Sequence, residues 1–155
     1  VQAVAGGTVP TKRLLRDPLD VRARIQLLRG LRDQGRLTAV QAVVQRASRL
    51  AEKGDLPLDV LSSTEVVDPS RFESASATGL FDATQRLNPL AESGAYQELC
   101  DVLVESTPAL EAFFDGDESV MVMADDSALR MNRLNLLGGL RNQAAVFAQF
   151  ELIQS

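Results

Sequence analysis

The sequence predicts an all-α fold, a bundle of about five to six helices, and three observations carry that prediction. Apolar residues recur at spacings of 3, 4 and 7, the period of a helix that buries one side. Helix-starting and helix-ending residues punctuate the chain at intervals, at Asp17-Pro18, Gly35, Gly54 and Gly94. No stretch alternates polar and apolar residues for long enough to demand a sheet; the run "VMVM" at residues 120–123 is short and stands alone.

Residues 1–16 have no clear period and read as a flexible N-terminal tail or fragment edge, with one helical domain over 17–155. Asp17 is placed to cap a first helix, with Pro18 at its first position and Gly35 beyond its end near Gln34. Thr38 can cap a second, in which Val40, Val43, Val44, Ala47, Leu50 and Ala51 form one apolar side and Gly54 closes it. The short turn between the two predicts an antiparallel pair. Residues 55–70 connect, with Pro57, Pro69 and Ser62-Ser63, and have room for one short helical turn. A third helix spans about Ser74–Glu92 with Leu80, Phe81, Thr84 and Leu87 inward, and Pro89 kinks or ends it. Tyr96, Leu99, Val102 and Leu103 mark a fourth, and Thr107-Pro108 opens a short fifth carrying Leu110, Phe113 and Phe114. The last begins near Asp126 and runs to about Phe150, with Leu129, Leu136, Leu137, Leu140, Ala144 and Phe147 as its buried stripe.

Composition excludes several functions. There is no histidine and one cysteine, Cys100, so a tetrahedral zinc site and a histidine general base are absent, as is any intrachain disulfide. Neither a Walker loop nor GxGxxG occurs, and Gly6-Gly7 and Gly138-Gly139 lack phosphate-loop spacing. The acidic residues at three-residue spacing read as a solvated face rather than as paired catalytic carboxylates. No apolar run approaches the ~18–20 residues of a membrane span, and no leader is expected at the start. The lone cysteine fits a reducing compartment, and no motif for a metal or cofactor is present.

The net charge of −5 hides a strong asymmetry. Residues 1–53 hold 11 Lys/Arg against 4 Asp/Glu, whereas residues 54–127 hold 2 against 16. On the first helix Arg22, Arg29, Arg32 and Arg36 fall within about 80° of one another. On the second, Arg46, Arg49 and Lys53 lie opposite the valine side. Two basic stripes on neighbouring helices suit a phosphate-facing surface, since the guanidinium fork holds phosphate by two hydrogen bonds. The alternative is a solvated face partly paired with the acidic middle of the chain. No aromatic residue lies among these arginines in sequence, which weakens a base-stacking platform.

The stretch "FFDGDESVMVMADDSALRMNRLNLLGGLRN", residues 113–142, resembles the end of the β subunit of bacterial-type glycyl-tRNA synthetase. That family carries an FFD, a VMVM, an acidic pair, an ALR and an NRL in this order. Residues 17–53 are similar to the family's two-helix stretch, and "VDPSRF", "YQELCDVLVESTPALEAFFD" and the final "ELIQS" fit their places, so the likeness covers roughly 17–155. The resemblance implies the helical anticodon-binding domain of the DALR type, also found in arginyl-tRNA synthetases; the VMVM and acidic-pair context is glycyl. It implies contact with the anticodon region of glycine tRNA, and association with the rest of the β subunit and with the α subunit. ATP and Mg would serve the α subunit, so the resemblance implies a cytoplasmic, non-catalytic domain with no cofactor of its own, and neither DNA nor membrane is implied.

Residue by residue, Arg46 stands at the family's motif Arg, while Gln45 and Arg49 replace its Lys and Asn. Ser127 replaces the motif Asp, and Ala128, Leu129, Arg130, Asn132, Arg133 and Leu134 match. The RNA-binding candidates are Arg22, Arg29, Arg32, Arg46, Arg49, Lys53, Arg130, Asn132 and Arg133. For Arg130 a second role is open, pairing with Asp126 to hold the helix start. Asp125 or Asp126 caps that helix, and the apolar run before it packs as an extended plug. The competing functional reading is a helical protein–protein docking module of the synthetase with no RNA contact.

Overall fold

The computed structural model describes residues 18–117 and 119–153. Among the described residues five helices form the bundle: α1 (Pro18–Asp33), α2 (Leu37–Ala51), α3 (Ala75–Ser93), α4 (Tyr96–Phe114) and α5 (Ser127–Phe147), with 3-10 turns at Pro69–Arg71 and Phe150–Leu152. Among the described residues there is no strand. No described helix is long and apolar enough to cross a membrane. The tail expected over 1–16 and the Asp17 cap lie outside the described residues.

The α1–α2 turn forms because Gly35 takes φ +71°, a conformation that costs a glycine little. The Arg36 amide then donates to the Leu31 carbonyl and the Gly35 amide to Arg32, which closes the orphan carbonyls of α1. Helix α2 begins two residues earlier than its sequence suggests. Arg36, not Thr38, occupies the N-cap position and gives no side-chain bond, so Thr38 lies within the first turn. The valine side of α2 is buried as the period requires.

Helix α3 starts at the Ser74 cap, whose hydroxyl accepts from the Ala77 amide, and ends at Gly94 with φ +70°. Pro89 stays inside it. Pro108 likewise sits inside α4, which is one helix of 19 residues rather than two. Both prolines are exposed, on the side where a carbonyl freed by the missing N–H can be hydrated. The inward side of α4 is continuous through the proline, with Leu99, Leu103, Leu110 and Phe113 all fully buried. That uninterrupted burial outweighs one lost helical bond. Cys100 is buried too, and burial, reinforced by Asp101, pushes its thiol up to about 12.

Helix α5 is the central element. Asp126 caps it, accepting from the amides of Ala128 and Leu129. Those bonds, Leu129 first, hold its carboxyl below the ordinary range. A depressed folded-state value means stabilisation that is present above the unfolded value and lost as pH falls through the folded one. Stability measured by thermal melts should therefore drop below about pH 4. Asp126→Asn, which keeps an acceptor at the cap, should flatten part of that drop.

The inner stripe of α5 extends beyond the leucines, because Asn132, Gly138, Gly139, Asn142 and Gln143 are buried as well, while Leu129 is half-buried. The helix ends at Phe147 rather than near Phe150, which starts a 3-10 turn. Gly138-Gly139 now has a reason. A Cβ on Gly138 would lie 2.8 Å from Leu56 Cδ2, and one on Gly139 3.0 Å from Ser63 Oγ. The pair lets the connecting segment close against the helix. Asn142 then donates to the carbonyls of Pro57 and Val60, and Gln143 to those of Leu61 and Thr84.

The run at 120–123 packs only by halves. Val122 is buried and Val120 half-buried, whereas Met121 and Met123 face out, Met121 with 75% exposure. An extended chain points successive side chains to opposite sides, so the valines alone serve as the plug.

Candidate RNA-binding surface

The two basic stripes border opposite ends of α4. Arg24 reaches the Phe147 carbonyl at the end of α5, and its ion-pair partner Asp20 accepts from the Tyr96 hydroxyl at the start of α4. Arg36 lines a cleft of about 160 Å³ with Gln97 and Asp101, also in the first half of α4. Helix α1 therefore lies against that half. Helix α2 runs the other way relative to α5: Gln45 bonds the Phe150 carbonyl, while Gly54 meets Leu134 near the start of α5. The stripe of Arg46, Arg49 and Lys53 climbs toward the end of the bundle where α4 finishes.

Arg22, Arg29, Arg32, Arg36, Arg49 and Lys53 are all exposed, and none makes an ion pair among the described residues. Asp33, one turn after Arg29, is within helical reach of it and is not engaged either. Arg46 differs. Its Nη1 lies 3.0 and 2.9 Å from the two carboxylate oxygens of Asp115, and its guanidinium sits 4.7 Å from the centre of the Phe114 ring. An aromatic does accompany the basic stripe, from 68 residues away in sequence. Spacing within the helix cannot show such a neighbour.

The α5 candidates are used inside the fold. Arg130 donates to the Ala124 carbonyl at 3.0 Å and fixes the chain just before the cap; it makes no ion pair with Asp126. Asn132 is buried, and its side-chain amide brackets Asp68, accepting from the Asp68 N–H at 2.7 Å and donating to its carbonyl at 3.0 Å. Arg133, with 12% of its side chain exposed, donates to the Met121 carbonyl at 2.7 Å and to Glu73 at 2.8 Å. Asp68 in turn accepts from the Ser70 hydroxyl and amide and pairs with Arg71. The Ser70 bonds hold its carboxyl below the ordinary range.

These bonds enclose a groove of about 370 Å³ beside the turn at Pro69–Arg71, the start of α3 and the chain after α4. Phe113, Leu136 and Val120 are among its apolar lining, and Arg71, Glu73 and Asp117 among its charged lining. Sequence reasoning did not find Arg71, Glu73 and Asp117, which come from two segments more than forty residues apart. It also missed Arg24, a fully buried arginine, although at about 100° per residue Arg24 falls between Leu28 and Leu31 on the apolar side of α1 and away from the basic stripe.

Comparison with known proteins adds ancestry to this geometry. No family model matches the chain. It is 44% identical over 158 residues to a protein of Picosynechococcus named glycine–tRNA ligase beta subunit, an alignment covering 99% of this chain and 22% of that protein. The protein of the same name from Acaryochloris marina is 45% identical over 147 residues, covering 92% and 21%. That from Sodalis glossinidius is 36% identical over 138 residues, covering 88% and 19%. The chain thus spans about a fifth of the length of these relatives. With the shared segment running through both the α2 stripe and the α5 motif, the chain is homologous to that segment of glycine–tRNA ligase beta subunits.

Proposed function

We propose that this chain is the tRNA-binding, DALR-type anticodon-binding domain of a cytoplasmic glycine–tRNA ligase beta subunit. It would hold the anticodon region of glycine tRNA while adenylation and transfer take place on the α subunit. One observation carries the reading. In a chain with 21 acidic and 16 basic residues, six exposed cations on α1 and α2 remain outside every ion pair among the described residues. Cations gathered on two helices, apart from the acidic middle of the chain, make a locally positive surface that favours a polyanion. Phosphate contacts from these stripes would position the RNA, and bases splayed from the loop would carry the recognition.

The test is binding of the chain to glycine tRNA and to the same tRNA with its anticodon exchanged, across salt concentrations. Arg49→Glu combined with Lys53→Glu should weaken binding at least ~10-fold and make the salt dependence shallower by about 1.5 in log–log slope. Equal affinity for the two tRNAs would remove anticodon reading, and unmoved affinity in the double variant would remove the α2 stripe. The docking-module reading is favoured by one observation, the exposure of all three methionines, Met121, Met123 and Met131. It requires that the double variant impair assembly with the remaining subunit parts and leave tRNA binding untouched.

A further inference from the structure

We infer that α1 is a strap that opens on its own, unfolding away from a bundle of α2 to α5 that stays folded, and that Arg24 is its latch. The inference does not depend on whether the chain binds RNA.

Helix α1 is held differently from its neighbours. Of its 16 residues only Arg24 and Leu31 are buried, against seven of 15 in α2 and nine of 19 in α4. Val21, Ile25, Leu27 and Leu28 pack against the core with part of each side chain exposed, and Leu19 is 75% exposed. A helix draws most of its stability in a protein from the apolar side it buries, so α1 gains less than the others. Its one fully buried anchor carries a charge. Arg24 reaches Asp20 in its own helix, the Phe147 carbonyl of α5 and the Tyr96 ring of α4, and the Tyr96 hydroxyl donates to Asp20. These groups satisfy one another while the strap is closed. Water solvates them when it is open, so release regains the hydration that burial removed.

The sequence of α1 also favours release. Gly30 sits in mid-helix, where glycine is a weaker helix former than alanine, and a Cβ there would meet nothing within 4 Å. Packing therefore does not require the glycine. At the junction with α2, Gly35 takes φ +71°, so the break between strap and bundle falls at a residue that bends freely. A detached helix of 16 residues is marginal in water, which makes opening and unfolding one event.

Beneath the strap lies a reporter. Leu27, Gly30 and Leu31 of α1 line the cleft of about 160 Å³ together with Cys100 and Val104 of α4. Cys100 is 2% exposed and is the one cysteine of the chain, so its thiol is reached when α1 leaves. Opening also takes Arg22, Arg29 and Arg32 out of their fixed register with the α2 stripe. The strap thus decides whether the two basic surfaces are presented together.

The experiment is alkylation of Cys100 in this chain by iodoacetamide across a urea series, with reagent dilute enough that the rate follows the open population. Local opening exposes little surface. At low urea the logarithm of the rate should therefore rise with less than about a third of the slope of global unfolding, before a steep limb takes over. Arg24→Met should raise the shallow limb about 100-fold, and Gly30→Ala should lower it about fourfold. Gln143→Ala, which loosens the connecting segment from α5, should shift the steep limb and leave the shallow one in place. Circular dichroism at low urea establishes that each variant is folded. A single steep limb in the unmodified chain overturns the strap, because Cys100 is then reached only by global unfolding. A shallow limb that Gln143→Ala raises as much as Arg24→Met, or one that neither Arg24→Met nor Gly30→Ala moves, overturns α1 as the element that opens.

Discussion

Arg24→Met should destabilise the chain by about 3 kcal/mol, lowering its melting temperature by roughly 6–12 °C. Arg24 is fully buried. Its Nε donates to Asp20 Oδ2 at 2.9 Å, its Nη2 lies 2.9 Å from the same oxygen without hydrogen-bond alignment, and its Nη1 reaches the Phe147 carbonyl at 3.4 Å. The guanidinium lies 5.6 Å from the centre of the Tyr96 ring, and the Tyr96 hydroxyl donates to the other oxygen of Asp20. One side chain therefore ties α1 to the start of α4 and the end of α5, where direct α1 packing is slight. Its removal takes a guanidinium and its hydrogen bond away from a mostly buried carboxylate, and that loss makes up most of the cost. Adding Asp20→Asn to Arg24→Met neutralises the carboxylate and keeps an acceptor for Tyr96. The double variant should recover part of the loss. Urea unfolding of the two single variants and the pair closes the cycle; a strictly additive pair would mean that Arg24 acts by packing alone.

Gln143→Ala should cost about 3 kcal/mol, in a different manner. Gln143 has no exposed surface, and its amide nitrogen donates to the Leu61 carbonyl at 2.7 Å and the Thr84 carbonyl at 2.9 Å. Its Oε1 has no hydrogen-bond partner among the described residues, so the residue acts through its donors. Truncation opens a cavity and removes one of the anchors that tie the connecting segment to α5, leaving those of Asn142 in place. Limited proteolysis should then show faster cutting within residues 55–67, while Gln143→Met, which restores volume without the donors, should repair the stability in part and the cutting little. If Gln143→Met repairs both, packing rather than hydrogen bonding seats the segment.

Much of the fold was legible because helices advertise themselves locally. The valines of α2, the Ser74 and Asp126 caps and the glycines at 35 and 94 each act within one or two turns of chain, and each is where its residue type requires. The reading of Pro108 as a helix start failed because a proline's local preference competes with burial on both of its sides, and burial comes from α3, α2 and α5, not from α4 itself. The buried amides of α5 were equally illegible. Asn132, Asn142 and Gln143 are polar letters off the leucine stripe, and only the wrapping of residues 56–68 around the helix encloses them.

The arginines divide along the same line. By itself the sequence determined that positive charge collects on the first two helices, because charge and helical period are both properties of the local chain. Which arginines remain available was decided by the tertiary structure, through contacts between residues far apart. Arg24 is spent inside, Arg46 is shared with Asp115, Arg130 and Arg133 hold backbone carbonyls, and Arg22, Arg29, Arg32, Arg49 and Lys53 face outward without an ion-pair partner among the described residues. A guanidinium has five donors and a long reach, so its role depends on which carbonyl or carboxylate the fold brings within about 3 Å. No pattern within one helix specifies that neighbour.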